Sequence, residues 1–249
     1  MSNFFSLFKK KSSPSENSVF INPITTELHS HLIPGIDDGT EQIEETIEVL
    51  TKYQELGYKK VITTPHIMGD FYKNGAFNIL PGLEKIKNLL IQNHINIEIE
   101  AAAEYMVDEL LEGKINNKEI LTFGGNKVLI ELPFNEEPPI FKSVLFALQT
   151  NGFQPVLAHP ERYPYYALNK SNYEQLIENG VLIQLNIMSL IGYYSPNIKK
   201  TAEFLIDNKM VHLVGSDLHG ARHLPFLEKA IQSTYYRKVC ELNLLNNQL

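Results

Sequence analysis

The sequence predicts an α/β fold, a seven-stranded (β/α) barrel in a single domain, and three observations support this prediction. Strand-like and helix-like segments alternate along the 249 residues, which implies parallel strands because each helix supplies the crossover that parallel pairing needs. A hydrophobic content of 43% is sufficient for one large core. Metal-competent polar residues follow the strands all along the chain. An open doubly wound sheet also explains the alternation, but side chains from seven strands can converge only in a ring.

The first half of the chain contains two strand–helix units and a third strand. Ile43, Ile47 and Leu50 fall at helical spacing after the first strand, with Thr40 as the predicted N-cap, and Gly57 ends that helix. A second helix is predicted over residues 81–92. We predict seven strands in the whole chain, at residues 24–28, 60–64, 96–101, 127–130, 154–158, 181–185 and 211–215.

The second half repeats the same pattern. After the fourth strand, apolar residues at helical spacing around 140–148 predict a helix that follows two prolines and ends at Gly152. Helices are then predicted around 171–178 and 197–207, and a last helix begins near Leu224. Every predicted strand except the third is therefore followed by a predicted helix, the pattern of a (β/α) barrel.

The composition excludes several classes of protein. A net charge of −7 argues against a nucleic-acid surface. The single cysteine, Cys240, excludes a disulfide framework and a Cys-rich zinc site and favours a reducing compartment, so we expect a cytoplasmic location. No apolar run is long enough for a transmembrane helix. We expect residues 1–22 to form a flexible basic-aromatic tail that can contact a membrane surface or a partner, and residues 23–249 to form the barrel.

The loop after the first strand contains a His-x-His pair. His29 and His31 point the same way on extended backbone, so both can bind one ion, although a lone His-x-His is common. Similar residues follow the later strands, and together they number five imidazoles and four carboxylates, too many for one ion. They suit two or three divalent cations such as manganese, iron or zinc. The predicted ligands are His29, His31, Asp38, His66, Glu104, Glu131, His159, Asp217 and His219.

Several segments carry a family resemblance. The segments ELHSHLIPGIDDGT, TTPH, AAAEY, LIELP, AHPERY and GSDLH resemble the polymerase-and-histidinol-phosphatase (PHP) superfamily, and within it the bacterial tyrosine phosphatases linked to capsule and exopolysaccharide synthesis. The similarity extends from about residue 24 to about residue 245. It implies a distorted seven-stranded barrel with a trinuclear, often manganese-dependent site, and it assigns metal binding to the same nine residues, with Asp38 rather than Asp37 as the ligand.

The resemblance also implies a reaction, the hydrolysis of a phosphoric monoester. A metal-bridging hydroxide would attack phosphorus in line with the leaving oxygen, and cations would stabilise the equatorial oxygens. We predict that Arg162 and Arg222 bind the phosphate oxygens. Arg162 lies in a segment that the family shares, whereas a surface salt bridge would explain Arg222 equally well. A Cys-dependent mechanism is excluded, because Cys240 has no arginine after it.

The predicted substrate is phosphotyrosine in a protein, in particular the tyrosine cluster of a membrane-associated polysaccharide-synthesis kinase. Two alternatives stay open at this point: a small-molecule phosphatase, such as one for histidinol phosphate, and a module that binds phosphopeptides without turnover. His94 and His212 are interpreted as structural residues because they lie away from the carboxyl ends of strands. His223 is close enough to the site to contact substrate.

Overall fold

The computed structural model describes residues 22–249. In that range, helices and short strands alternate as predicted. The strands are β1 (Thr26–Leu28), β2 (Lys60–Thr63), β3 (His66–Ile67), β4 (Glu98–Ala101), β5 (Glu104–Met106), β6 (Lys127–Glu131), β7 (Gln154–Ala158), β8 (Leu182–Asn186) and β9 (Leu213–Gly215). The α-helices are α1 (Ile43–Glu55), α2 (Ala76–Gln92), α3 (Leu111–Asn116), α4 (Phe141–Thr150), α5 (Lys170–Glu178), α6 (Pro196–Asp207), α7 (Leu224–Ile231) and α8 (Thr234–Cys240).

The strands pair in parallel throughout the two named sheets. One sheet has the order β1-β2-β4 and the other the order β3-β5-β6-β7-β8-β9. Seven of the nine strands lie at the predicted positions, and the other two, β3 and β5, come just after the second and third predicted strands and belong to the other sheet. Pro65 separates β2 from β3, and a proline has no N–H to donate to a ladder. The parallel α/β prediction is confirmed, but the strands form two sheets instead of one continuous ladder.

The gap between β1 and β9 is bridged at both ends. At the carboxyl ends, Asp217 N donates to His29 O over 2.7 Å and His31 N donates to Leu218 O over 3.0 Å. At the opposite end, the side chain of Asn246 donates to Thr26 O and to Val214 O, and it accepts from Val214 N. These bonds replace a regular ladder across the seam, and they bring the residues after β1 against those after β9.

The apolar side chains form two clusters, one on each face of the strands. The larger cluster lies between strands and helices and includes Val128 and Ile130 of β6. The smaller cluster includes Leu129 from the same strand together with Leu28 of β1 and Val156 of β7. Since neighbouring residues of a strand point to opposite faces, the smaller cluster lies on the inner face. It fills the space between the inner faces of the strands and forms an apolar layer there.

Some predicted boundaries are wrong. Helix α2 begins at Ala76 and contains Pro81, so the proline lies early within the helix and does not begin it. Helix α1 begins at Ile43 with Gln42 as its N-cap, because the hydroxyl of Thr40 is hydrogen-bonded to that of Thr46. The short helices α3 and α8 were not predicted.

The predicted tail lies outside the described residues except for its last position. The side chain of Asn22 is buried and accepts hydrogen bonds from Ile24 N and from the Tyr236 hydroxyl. Asn22 is therefore packed against the domain. None of the helices between residues 22 and 249 is long and apolar enough to span a membrane.

Candidate metal centre

The structure brings all nine predicted ligands together at the carboxyl ends of the strands. His29 and His31 follow β1, Glu131 ends β6, and Asp217 and His219 follow β9. The nine form three overlapping groups, and within each group the nearest ligand atoms lie within 4.8 Å of one another. The groups are His31, Asp38, His66 and His219; His29, Glu104, His159 and Asp217; and His66, Glu104 and Glu131.

Glu104 is the centre of this arrangement. Its Oε2 lies 3.0 Å from His29 Nε2, 3.4 Å from His31 Nε2 and 3.2 Å from His66 Nδ1, and its Oε1 lies 3.3 Å from His159 Nε2. Side chains that share an ion at bond lengths of about 2.1 Å lie at such distances from one another. Glu104 is completely buried, so it faces only the other members of the cluster.

Several polar atoms at this centre have no hydrogen bond of acceptable geometry. They include Nε2 of His29 and of His31, Nδ1 of His66 and both carboxylate oxygens of Glu104. Buried polar atoms in a folded protein almost always have a partner, because an unsatisfied one costs free energy. Imidazole and carboxylate groups are the ligands that manganese, iron and zinc accept. The side chains therefore fit divalent transition metals, and a bound cation is the partner that these atoms require.

The opposite ring nitrogens of the histidines are fixed by acceptors behind the centre. His29 Nδ1 lies 2.9 Å from Gln184 Oε1, His31 Nδ1 lies 2.9 Å from Asp37 Oδ2, and His219 Nδ1 lies 2.9 Å from its neighbour's carbonyl, Asp217 O. Each acceptor favours the tautomer that carries its proton on Nδ1 and leaves the Nε2 lone pair towards the centre. This arrangement is typical of metal-binding histidines.

Asp37 and Asp38 have different environments. Asp37 Oδ2 also accepts from His66 N over 3.0 Å, and its Oδ1 accepts from Gly39 N over 3.0 Å. Asp38 Oδ1 instead lies 3.4 Å from His219 Nε2 and 3.6 Å from His66 Nε2. Asp37 thus orients a histidine and a loop, while Asp38 faces the centre. The geometry supports the predicted choice of Asp38.

Three of the seven non-glycine residues with positive φ in the described range are predicted ligands. His29, His159 and Asp217 all have positive φ angles, of 85°, 35° and 51°. Residues other than glycine adopt this region at a cost, and they retain it where the surrounding structure fixes a functional side chain. The chain therefore turns sharply just after β1, β7 and β9, and each turn directs a side chain to the centre.

Two carboxyl groups of the centre have pKa values that are shifted in opposite directions. Burial raises the pKa of Glu131 well above its usual range, and the nearby Glu104 and Asp217 raise it further. Burial also acts on Asp217, but His29 and His219 outweigh it and hold the pKa of Asp217 well below its usual range. Burial lowers the pKa of His159 to about 4, so this imidazole is neutral and its lone pairs are available. A cation would displace the proton of Glu131 and add its charge to the site.

Arg162 lies at the edge of the centre. Its Nη1 donates to Asp217 Oδ2 over 2.6 Å. Its guanidinium lies between two aromatic rings, with Cζ 4.2 Å from the centroid of Tyr194 and 4.8 Å from that of Phe134. The Tyr194 hydroxyl accepts in turn from the Asn186 amide. A planar cation fixed in this way next to the ligands can bind phosphate oxygens.

Arg222 and His223 lie farther out. Arg222 is exposed and has no ion pair among the contacts of residues 22–249, so its role in phosphate binding stays a prediction. His223 Nδ1 accepts from His219 N over 3.1 Å, so it supports a predicted ligand. His212 Nδ1 accepts from Ile183 N at the amino end of β9, in agreement with a structural role.

Sequence reasoning missed two functional neighbours of the ligands. Gln184 fixes the orientation of the His29 ring, and Asn186 Nδ2 lies 3.3 Å from Asp217 Oδ2. Gln184 and Asn186 both lie in β8, whose other residues are apolar, and both are completely buried. A lone amide within an apolar strand is the signal that could have identified Gln184.

Comparisons with known proteins agree with this site. Residues 25–243 match the family model for capsular polysaccharide synthesis, CpsB/CapC. A putative tyrosine-protein phosphatase CapC from Staphylococcus aureus is 32% identical over 207 residues, which cover 82% of this chain and 81% of that protein. The tyrosine-protein phosphatase YwqE from Bacillus subtilis is 28% identical over 197 residues, covering 79% and 78% of the two chains.

A solved structure shows the same fold. It comes from the crystal structures of YwqE from Bacillus subtilis and CpsB from Streptococcus pneumoniae, described as unique metal-dependent tyrosine phosphatases. The TM-score is 0.76 at 26% identity, and the match covers 89% of this chain and 94% of the solved chain. A lactonase from Listeria monocytogenes, with a TM-score of 0.53 and 12% identity, shares the fold alone.

Proposed function

This chain belongs to the CpsB/CapC family of capsular polysaccharide synthesis proteins, and from that premise we propose that it is a metal-dependent phosphatase that hydrolyses phosphotyrosine in a protein. The observation that carries the proposal is the convergence of five histidines and four carboxylates around the buried Glu104. Such a set of side chains fits a cluster of metal ions, and relatives of this chain are named tyrosine-protein phosphatases. The reaction class is phosphoric monoester hydrolysis.

The nine clustered side chains hold two or three divalent ions in this proposal, with manganese as the preferred metal and iron, zinc or cobalt as substitutes. Bound ions supply an acidified water and positive charge for the phosphate oxygens. Gln184 and Asp37 keep the ring nitrogens of His29 and His31 directed to the ions. The apolar cluster on the inner face of the strands closes the site from below, so water and substrate enter from the carboxyl ends.

Arg162 binds and orients the phosphate group. Its guanidinium is largely buried, with 18% of the side chain exposed, and Phe134 and Tyr194 keep its plane fixed. Phe134 is 42% exposed, and its ring also stacks on that of His159. Phe134 can therefore contact the phenol ring of a substrate as well as the guanidinium. A phenolate, with a pKa of about 10, needs little help from a general acid on leaving.

The substrate in this proposal is a flexible, tyrosine-phosphorylated segment of a membrane-associated polysaccharide-synthesis kinase. The name of the family links this chain to capsule synthesis, and phosphotyrosine is the group on which the relatives are named to act. We place the protein in the cytoplasm, on the basis of its single cysteine, with its basic-aromatic first residues near the membrane.

The test compares two phosphate esters. Purified protein with added manganese is assayed for kcat/KM on a phosphotyrosyl peptide and on histidinol phosphate, with Glu104→Gln as the control for contaminating phosphatase. We expect the peptide to be the better substrate by at least about tenfold, since its leaving group is the better one. Preference for histidinol phosphate would replace this proposal with a small-molecule phosphatase. Tight peptide binding without turnover would indicate a binding module.

A further inference from the structure

A large cavity lies beside the metal centre and is not used by the proposed chemistry. It measures about 890 Å³ and lies among the hairpin after β3, the start of α2 and the segment from β5 to residue 121. We call it the hairpin pocket. Its walls are mainly apolar and include two methionines, which adapt readily to different ligand shapes. They include Ile67, Met68, Tyr105, Met106, Leu111 and Ile120.

The hairpin pocket and the metal centre share a wall. β3 and β5 are paired, with His66 opposite Glu104 and Ile67 opposite Tyr105. Successive side chains of a strand point to opposite faces, so His66 and Glu104 point to the centre while Ile67 and Tyr105 line the pocket, which extends beyond the strands to Met68 and Met106. Tyr72 spans the edge of this wall, since it lines the pocket and its ring stacks on that of His66 at a centroid distance of 5.6 Å.

The pocket is held open by a set of hydrogen bonds. Met68 and Tyr72 exchange backbone hydrogen bonds of 2.9 and 3.0 Å, which close the hairpin. Asp108 Oδ2 accepts from Gly69 N over 2.7 Å and so ties the hairpin to the loop after β5. Asn74 donates to His66 O over 2.8 Å and ties the end of the hairpin to the strand that carries the ligand. The pocket is thus preformed and fixed in position relative to the centre.

Two large apolar side chains form an exposed rim. Phe77 at the start of α2 is 74% exposed, and Leu110 before α3 is 56% exposed. Charged side chains around the pocket balance, because three lysines oppose three acids: Lys73, Lys114, Lys118, Asp70, Asp108 and Glu119. A pocket with balanced charge and an apolar rim favours a large uncharged side chain over a charged one.

We propose that the hairpin pocket is a substrate subsite, which binds a large aliphatic or aromatic side chain of the polypeptide that carries the phosphotyrosine. This inference rests on the proposed function. The pocket and the centre share the β3–β5 wall, and three residues of extended chain cover roughly 10 Å, enough to reach from one side of a strand pair to the other. The recognised residue therefore lies about three positions from the phosphotyrosine. The site selects a sequence context and does not accept every phosphotyrosine equally.

The test uses phosphotyrosyl peptides with an alanine and serine background, in which a single leucine is moved through successive positions on both sides. A small aryl phosphate serves as a probe that cannot reach the pocket. We expect leucine at one or two positions about three residues from the phosphotyrosine to raise kcat/KM about tenfold over alanine. The double variant Phe77→Ala/Leu110→Ala should abolish this gain and retain full activity on the aryl phosphate. Its matched control is Ile91→Ala, which removes an equally exposed residue at the other end of α2.

A second variant fills the pocket instead of truncating its rim. Ala76→Trp introduces a large ring at an exposed residue that lines the pocket, and it should also abolish the leucine gain. Equal rates for all leucine positions, or a leucine gain that survives both variants, would overturn the subsite while the aryl phosphate activity still supports the phosphatase. A change of oligomeric state in the double variant would instead assign the pocket to contact between copies of the chain. Absence of turnover on every ester would overturn both proposals.

Discussion

The two ends of the strands use buried polar side chains in different ways. At the amino ends, Asn246 uses its amide oxygen and nitrogen in three hydrogen bonds to the strands beside it, and His212 accepts from Ile183 N. At the carboxyl ends, Glu104 is just as buried, but neither of its oxygens has a hydrogen bond of acceptable geometry. The polar atoms of Asn246 at the amino ends are satisfied within the chain, whereas those of Glu104 at the carboxyl ends are not.

This difference distinguishes structural from functional polar residues. Burial and polarity are the same at both ends, so neither property alone identifies a site. The distinguishing feature is whether the folded chain itself satisfies the polar atoms. Three of the nine predicted ligands also have positive φ angles, but four other non-glycine residues of the described range have them too, so such angles alone do not mark the site. Substitutions at the amino ends should therefore affect stability, and substitutions at the carboxyl ends should affect metal content and activity.

The largest expected effect is at Glu104. Glu104→Gln keeps the shape of the side chain but removes the charge shared by four histidines. We expect kcat/KM on a phosphotyrosyl peptide to fall by at least about 10³-fold, since the variant loses metal and the metal supplies the chemistry. Circular dichroism should show an unchanged fold. Retention of both metal and activity would show that Glu104 is not part of the metal centre. It would also contradict the difference between the two ends of the strands at its main residue.

The next effect is at Arg162. Arg162→Ala should keep the metal content but lose about 2–4 kcal/mol of transition-state stabilisation, comparable to the removal of an oxyanion donor. Arg222→Ala is the matched control, because it removes the same group from an exposed position. Steady-state kinetics with parallel metal analysis would measure both. If Arg222→Ala costs as much as Arg162→Ala, both guanidiniums act on the phosphate.

At the amino ends, Asn246→Ala should reduce stability without changing activity per folded molecule. The substitution leaves the N–H of Val214 and the carbonyls of Thr26 and Val214 without their partner, which costs roughly 2–4 kcal/mol of unfolding free energy. Asn247→Ala, at an exposed neighbour with fewer buried contacts, should cost less. Urea unfolding of metal-loaded protein would measure both. A loss of metal in Asn246→Ala with no loss of stability would contradict the assignment of this end as structural.

A smaller effect distinguishes the two adjacent aspartates. Asp38→Ala should lose a ligand, whereas Asp37→Ala should lose only the acceptor behind His31 and weaken metal affinity by about 10–100-fold. Metal content measured after dialysis against a weak chelator would rank the variants, with Asp38→Ala retaining less. Equal retention in the two variants would contradict the ligand choice.

The smallest effect concerns pH at His212. Burial lowers the pKa of this imidazole, so the folded protein favours its neutral form. The corresponding stability is present above the unfolded pKa of about 6.5 and is lost as pH falls below it. His212→Asn can keep an acceptor for Ile183 N but does not titrate. The decrease in unfolding free energy between neutral and mildly acidic pH should be smaller in the variant. An identical decrease would show that His212 is not a source of acid sensitivity.

Much of the site could be predicted because its residues follow recognisable local patterns. Each predicted ligand except Asp38, which lies farther along the loop after β1, comes at or just after a short apolar strand, and parallel strands bring their carboxyl ends together whatever the details of packing. The prediction that the ligands converge required only the correct order of the strands. The structure shows that they do converge.

The residues that were missed depend on contacts between distant parts of the chain. Gln184 contacts His29 across 155 positions, and Asn246 contacts Thr26 across 220. No local pattern marks Asn246, and the lone amide of Gln184 in an apolar strand does not reveal which residue it contacts. Helix α2 was misplaced because Pro81 looked like a first helical residue, although Asn78, which accepts from Gly75 N, lies at the true start. The hairpin pocket was not predictable either, since its walls come from three separate segments.

The central claim is that the carboxyl ends of the strands are completed by divalent metal ions, and metal removal tests it most directly. Purified protein is analysed for bound transition metals, treated with a strong chelator, and assayed on a phosphotyrosyl peptide before and after manganese is restored. We predict two or three ions per chain, complete loss of activity on chelation and recovery with manganese. Protein that contains no transition metal, or that hydrolyses the peptide unchanged in excess chelator, would contradict this account.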